Sequence, residues 1–254
     1  NFMEKGFYSL TSALLTQSRK LNTISNNMGN SSTPGFKSDT VTSTTFKDQM
    51  IYRMGNVDKS NKKPIGVSST IRVVDGTVTD YGQGSFTETG RSLDMALAGD
   101  GFFAVETPTG TVYTRGGSFT LDDEGYLYSP DTGRVLGSKG PILLKTDKIT
   151  VDGQGNIIAE GGRLVATIKP VQFVDNTKLV KVREGVFKPT EEAQIKPAAE
   201  KLQVVYKTLE DSNVDMMNEM TDMMSSQRAL QSSSQLIKMY DQLMGKVVSE
   251  IGRV

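Results

Sequence analysis

The chain has 254 residues, with 29 Lys and Arg against 29 Asp and Glu, no Cys and no His. Zero net charge without a clustered basic face argues against a nucleic-acid partner, and the two missing residue types remove disulfides, thiolate nucleophiles, imidazole bases and most zinc sites. An enzyme of this composition would have to run on carboxylates, Lys, Tyr or Ser, and the length suits one or two domains with an ample core.

Met3, Phe7, Leu10, Leu14, Gln17, Leu21, Ile24 and Met28 recur in alternating steps of four and three, the a/d spacing of a coiled-coil seam, with Gln17 alone polar. The spacing predicts a helix from about Met3 to Met28, closed by a left-handed cap at Gly29. Pro34-Gly35 suits the centre of a type II turn. Residues 36–68 are rich in Ser, Thr, Lys and Asp without sustained periodicity, and we read residues 31–68 as an extended linker.

From residue 69 onward the texture changes. Most of the 25 glycines fall between residues 69 and 162, among short β-branched and aromatic runs such as Thr70–Val74, Ser85–Thr87, Phe102–Glu106, Val112–Thr114, Tyr126–Tyr128, Ile142–Leu144 and Ile157–Ala159. Hairpin chemistry separates them at Asp75-Gly76, Asp100-Gly101, Asp123-Glu124-Gly125 and Asp152-Gly153. Leu164–Ile168, Val171–Val174, Leu179–Lys181 and Leu202–Val205 complete a β domain over residues 69–205.

The last segment repeats the seam. Met216, Met223, Leu230, Ile237, Met244 and Ile251 recur every seven residues, with Met220 and Val248 at the intervening positions and Gln227, Ser234 and Asp241 as interruptions. Ser212-Asn213-Val214-Asp215 reads as a helix start, with Ser212 as cap and Asp215 near the positive end of the dipole. The fold class is therefore α+β: an axial helix over residues 1–30, the linker, the β domain, and a second axial helix over residues 206–254. The two helices are expected to pair as a coiled-coil-like stalk, because either stripe alone would leave several large apolar side chains in water.

The candidate chemistry is thin. Asp122, Asp123 and Gly125, like Asp152 to Asn156, lack the spaced oxygen ligands of a calcium loop and read as turns. The Gly82-Gln83-Gly84 and Gly99-Asp100-Gly101 patterns lack the third glycine of a dinucleotide site. Asp94, Asp100 and Glu106 are scattered acids with no fixed separation. No catalytic residue, cofactor site or metal site is assigned, and no apolar run approaches the about 18 residues that span a bilayer. The first 30 residues have no compact apolar region and are not a conventional secretory signal.

Three stretches carry a resemblance. Leu21 to Lys37, with Asn26, Asn27, Asn30, Thr33, Pro34, Gly35, Phe36 and Lys37, closely resembles the N-terminal signature of flagellar axial proteins. Gly90 to Phe119, including Leu93-Asp94-Met95-Ala96-Leu97 and Tyr113-Thr114-Arg115-Gly116-Gly117-Ser118-Phe119, looks like the β-domain motif of the rod and hook group. Leu209 to Asp215, with Ser212, Asn213, Val214 and Asp215, then Glu219-Met220 and Ser226-Gln227-Arg228-Ala229, resembles the C-terminal signature. This chain departs from the pattern at Met28-Gly29 and at Leu230 to Ser233.

The resemblance implies a rod member of the group, of the FlgG or FlgF type, in the bacterial flagellar basal body. It further implies extracytoplasmic location after type III export, contact with the export apparatus, and helical packing with its own copies and with other rod and hook subunits. The assembly interface would be Phe7, Leu10, Leu14, Leu21, Ile24, Met28, Met216, Met220, Met223, Leu230, Ile237, Met244, Val248 and Ile251. The competing readings are a cell-wall hydrolase, and a surface adhesin or sugar-binding module on a helical stalk, for which Phe102, Phe103, Tyr126 and Tyr128 are the candidate aromatics.

Overall fold

Two long helices bracket a set of short antiparallel strands in the computed structural model, which describes residues 2–46, 49–53, 63–68, 71–130, 132–196 and 202–251. The first helix, α1, runs Phe2–Gly29 and the last, α2, runs Met216–Ile251, or about 42 and 54 Å at 1.5 Å per residue. The bounds follow the apolar spacing to within a residue or two, but residues 206–215, expected to open the second helix, precede it: Tyr206 and Thr208–Glu210 are strand, paired with Met95 and with Phe86–Glu88. The ends differ in detail. Gly29 is the last helical residue and does not take a left-handed backbone; the positive φ of this region, 70°, belongs to Gly35.

The chain separates into two compact units. The helical unit comprises Asn1–Asn27, Asp39–Val78 and Met216–Val254. In this unit, residues expected as linker form strands: β1 (Asp39–Phe46) pairs with β4 (Ile71–Thr79), a strand expected to open the β domain, and β2 (Gln49–Arg53) pairs antiparallel with β3 (Lys63–Ser68). Asp75-Gly76, expected to turn, lies within β4, where the Gly76 carbonyl accepts the Thr42 hydroxyl at 3.1 Å. A ladder partner there outweighs the turn preference of the dipeptide.

The β body comprises Met28–Ser38 and Thr79–Asp215. Its strands are β5 (Phe86–Glu88), β6 (Met95–Ala98), β7 (Phe103–Thr107), β8 (Gly110–Thr114), β9 (Thr120–Leu121), β10 (Leu127–Ser129), β11 (Gly133–Gly137) and β12 (Gly140–Pro141). They are followed by β13 (Ile149–Val151), β14 (Asn156–Ala159), β15 (Arg163–Thr167), β16 (Gln172–Phe173), β17 (Leu179–Arg183), β18 (Val186–Pro189), β19 (Ile195–Lys196), β20 (Gln203–Tyr206) and β21 (Thr208–Glu210).

The largest sheet runs β17-β18-β8-β7-β11-β10-β9, with β12 paired to β11 off that path. Smaller ladders join β13-β14-β15, β16-β19, β20-β6 and β21-β5. Because side chains alternate across a strand, the large sheet feeds two cores. Phe103, Val105 and Val112 enter a core with Phe119, Leu127 and Val135 on one side, and Ala104, Tyr113 and Phe187 join Phe102, Phe173 and Leu179 on the other. Edge-to-face rings knit both: Phe103 and Phe119 lie 5.1 Å apart at 87°, and Tyr113 and Phe173 4.9 Å apart at 88°. The second of the paired glycines after β8 has a steric cause, since a Cβ on Gly117 would stand 1.5 Å from the Met95 carbonyl oxygen. That close approach lets the Met95 N–H reach the Gly117 carbonyl.

Candidate functional site

The motif residues of the two ends gather at two hubs, one in each unit. In the helical unit, Asn27 lies in the last turns of α1 with 2% of its surface exposed. Its Nδ2 donates to the Asp39 carbonyl at 2.9 Å and to Glu219 Oε1 at 2.8 Å, and its Oδ1 accepts the Asp39 N–H at 3.0 Å. One amide side chain thus uses both donors and its acceptor to tie the end of α1, the start of β1 and the first turn of α2. Lys20 and Asp222 meet at 3.1 Å farther along. Stepping back from Asn27 to Lys20 advances α2 from Glu219 to Asp222, so the helices run in opposite directions where they meet. The Lys20 pair is exposed on both sides and contributes little; the buried Asn27 carries the join.

In the β body, the turn Thr33 to Phe36 closes with the Phe36 N–H on the Thr33 carbonyl at 3.2 Å. Gly35 holds the position that needs a positive φ, and a Cβ there would lie 2.5 Å from the Arg115 carbonyl carbon. Past this turn Phe36 is fully buried, and the Lys181 ammonium stands 4.2 Å from its ring centroid. Lys37 is 1% exposed. Its Nζ donates to Glu210 Oε1 at 2.6 Å and to the Gly82 carbonyl at 2.7 Å. Glu210, also buried, accepts Arg115 Nε on Oε2 at 2.7 Å and the Gly84 N–H on Oε1 at 3.0 Å. Arg115 Nη1 donates to the Gly101 carbonyl. Two cations therefore share one carboxylate, and burial pulls the Lys37 ammonium below the ordinary lysine range against the opposing hydrogen bond and charge of Glu210.

Asn213 completes this hub. Its Oδ1 accepts the Ser38 N–H at 2.8 Å, and its Nδ2 donates to the Asp80 carbonyl at 2.9 Å. Ser212 does not cap α2: its hydroxyl accepts the Val214 N–H at 3.3 Å in a local turn, and the helix begins only at Met216, directly after Asp215. Ser212, the expected cap, is spent on that local turn, and its neighbour Asn213 on closing the body.

The other predicted residues divide. Thr33 and Asn30 bond each other at 3.2 Å by their side chains, Pro34 and Val214 are half-buried, and Asn26 and Asp215 face solvent on one side while keeping partners. Along the seam, Ile24 is buried, and Leu10, Leu14, Leu21, Met28, Met216, Met223, Leu230 and Ile237 are half-buried. Met220 and Met244 are exposed at 46% and 38%. The side chains of Phe7, Val248 and Ile251 lie outside the described residues. Sequence reasoning did not single out Asp39, Arg115, Glu210 or Glu219 as partners of the motif, although the last three stand inside stretches that carried the resemblance.

The adhesin reading loses its exposed aromatic face, because Phe102 and Phe103 are buried in the two cores, Tyr126 lies under the Arg134 guanidinium at 4.2 Å and Tyr128 is half-buried. The three acids of the hydrolase reading are not grouped: Asp94 is buried and bonded to Thr89, whereas Glu106 is exposed on β7. Among the described residues there is no group of three acids placed to hold a metal ion, and no helix long and apolar enough to cross a membrane.

Replacing Gly35 by Ala should lower the melting midpoint of the body. The left-handed backbone alone costs about 1–2 kcal/mol, and the contact with Arg115 adds to it. An unchanged thermal midpoint would show that the turn reopens at no cost.

Three family models match in chain order. Residues 7–37 match the flagella basal body rod protein model, residues 96–204 the flagellar hook protein FlgE/F/G D1 domain, and residues 207–250 the flagellar basal body rod FlgEFG protein C-terminal model. Over 269 aligned residues the chain is 33% identical to the flagellar basal-body rod protein FlgG of Bacillus subtilis, covering 97% of this chain and 99% of that relative. The rod protein FlgF of Mesorhizobium japonicum is 28% identical, with 98% and 99% covered. The hook-basal body complex protein FlhO of Bacillus subtilis is 26% identical, with 99% and 100% covered.

Proposed function

The chain belongs to the family of flagellar basal-body rod proteins, and from that premise we propose how its ends and its body divide the work. It is a structural subunit of the bacterial flagellar basal-body rod, built to transmit torque by packing. The observation that carries this is similarity over nearly the whole length, with both terminal models and the body model matched in order. Its relatives are structural proteins, and the reading needs no bond-making chemistry. Assembly with other rod and hook subunits follows from the family.

The finer assignment is that α1 and α2 pair as a coiled-coil-like stalk and that copies of the chain close the seams left half-covered. Support comes from the seven-residue spacing, from the Asn27 and Lys20 contacts, and from the exposed apolar side chains on α2, where Met217, Met224, Met239 and Leu243 are each more than half exposed. A heterologous contact that does not close on itself propagates as a helix of subunits, the geometry a shaft needs. Passage through the flagellar type III apparatus belongs to the same proposal. Electron microscopy of purified basal bodies carrying a labelled copy should place the label along the rod; a label confined to another part of the flagellum would refute the assignment.

The independently folding body is proposed to be Met28–Ser38 with Thr79–Asp215, not residues 69–205 alone. A fragment of residues 69–205 lacks Lys37 and Glu210 and leaves Arg115 buried without its carboxylate. It should melt lower and less cooperatively than a fragment of residues 28–215. Equal melting curves would show that the buried charges lie outside the folding unit.

A further inference from the structure

We infer that the buried Lys37–Glu210–Arg115 triad is a registration device: it fixes which residues of the entering segment, the β8 end and the leaving strand face one another. The strands it joins are poorly specified by pairing alone. β21 has three residues and one partner, β5, through Thr208 on Glu88, Leu209 on Thr87 and Glu210 on Phe86. A ladder this short holds register weakly; beyond it stand the Asp211 N–H on the Ser85 carbonyl at 2.8 Å, the Thr89 N–H on the Lys207 carbonyl at 2.9 Å and, on the other edge, the Gly35 N–H on the Glu210 carbonyl at 2.7 Å, backbone bonds that are blind to side-chain identity. The entering segment 36–38 is not a strand at all.

Charge supplies the missing constraint. In the observed register Glu210 turns inward between two cations, and Asp211 turns outward to the Ser85 and Thr87 hydroxyls at 2.9 and 2.8 Å. A slip of β21 by one residue in either direction would bring Leu209 or Asp211 inward. Leucine offers no countercharge, and aspartate is a methylene too short to reach Lys37, Arg115 and the Gly84 N–H together. A slip by two brings Thr208 or Ser212, both neutral. On the entering side the neighbours of Lys37 are Phe36, which fills its own buried site, and Ser38, whose N–H is taken by Asn213. Each alternative leaves the two buried cations with no carboxylate or with one too short to meet both, and only one arrangement satisfies all three side chains.

Such a device is dispensable for stability and needed for uniqueness, a combination that separates it from an ordinary stabilising ion pair. The test is the full chain with Lys37→Met, Arg115→Met and Glu210→Leu together, read against Glu210→Gln alone. The triple variant should melt within a few degrees of the parent, while amides of residues 34–38, 80–85 and 208–214 give doubled NMR signals or lose hydrogen-exchange protection; the remaining body should be unchanged. Glu210→Gln alone should melt well below both. A triple variant with one set of signals and parental protection would overturn the inference, because register would then be set without charge. So would a triple variant that melts as low as Glu210→Gln or fails to fold, because the triad would then be a source of stability.

Discussion

Replacing Glu210 by Gln should lower the stability of the β body by about 3–5 kcal/mol, the cost of breaking a buried ion pair from one side. The substitution keeps the shape and one acceptor, so cavity formation contributes little. What changes is charge: Lys37 and Arg115 stay buried, and the carboxylate that offsets both is gone. Burial already makes Lys37 hold its proton less tightly than an ordinary lysine, and without Glu210 the hydrogen bond and the charge that chiefly oppose desolvation are lost. A loss of that size corresponds to a fall of about 6–20 °C in the thermal midpoint of a domain this large. Glu88→Gln, on the exposed partner strand, is the control and should change the midpoint little. A Glu210→Gln midpoint within about 2 °C of the parent would mean that water reaches the cations and that the pairing is not dry.

Introducing Asp at Ile237 should abolish assembly and swimming while leaving the body folded. Ile237 is half-buried on α2, on the heptad row of Met223 and Leu230. A carboxylate forced into an apolar helical contact costs several kcal/mol, on the order of 3 or more, and a polymer repeats that loss in every subunit. The circular dichroism of the strands and the melting of the body should match the parent, since Ile237 belongs to the helical unit. Normal motility by Ile237→Asp would defeat the assignment of this row to assembly. Asp94→Asn with Glu106→Gln makes the opposite comparison, because a hydrolase would be crippled by it and a rod subunit would still assemble.

The helices were legible because their signal is local. Seven-residue spacing persists over more than four turns in α1 and α2, and tertiary contacts do not alter it. The turn Thr33 to Phe36 was legible for the same reason, since Pro34-Gly35 fixes its own backbone. Two of the misreadings occur where a distant partner takes over a residue with a strong local preference. Ser212 and Asn213 look like a helix start, yet Asn213 is occupied by Ser38 and Asp80. Asp75-Gly76 looks like a hairpin tip, yet β1 pairs with the strand that contains it.

The charged hub was the least visible element. Lys37, Arg115 and Glu210 carry no periodicity, and nothing in the spacing of one predicts the other two. What the sequence did hold was a charged residue inside each of the three motif stretches. A buried role follows for such residues only once the topology brings the three stretches together.

The distance between those stretches also orders events in time. Lys37 and Glu210 are 173 residues apart, and a chain made from its N terminus exposes both cations long before their counterion exists. The body cannot close around them early, since an unpaired buried charge is costlier than a hydrated one. Contacts of such high sequence separation also slow folding, because the loop between them must be closed first. The buried sites around Lys37 and Arg115 therefore cannot close until Glu210 has been made, a delay written into the position of one glutamate.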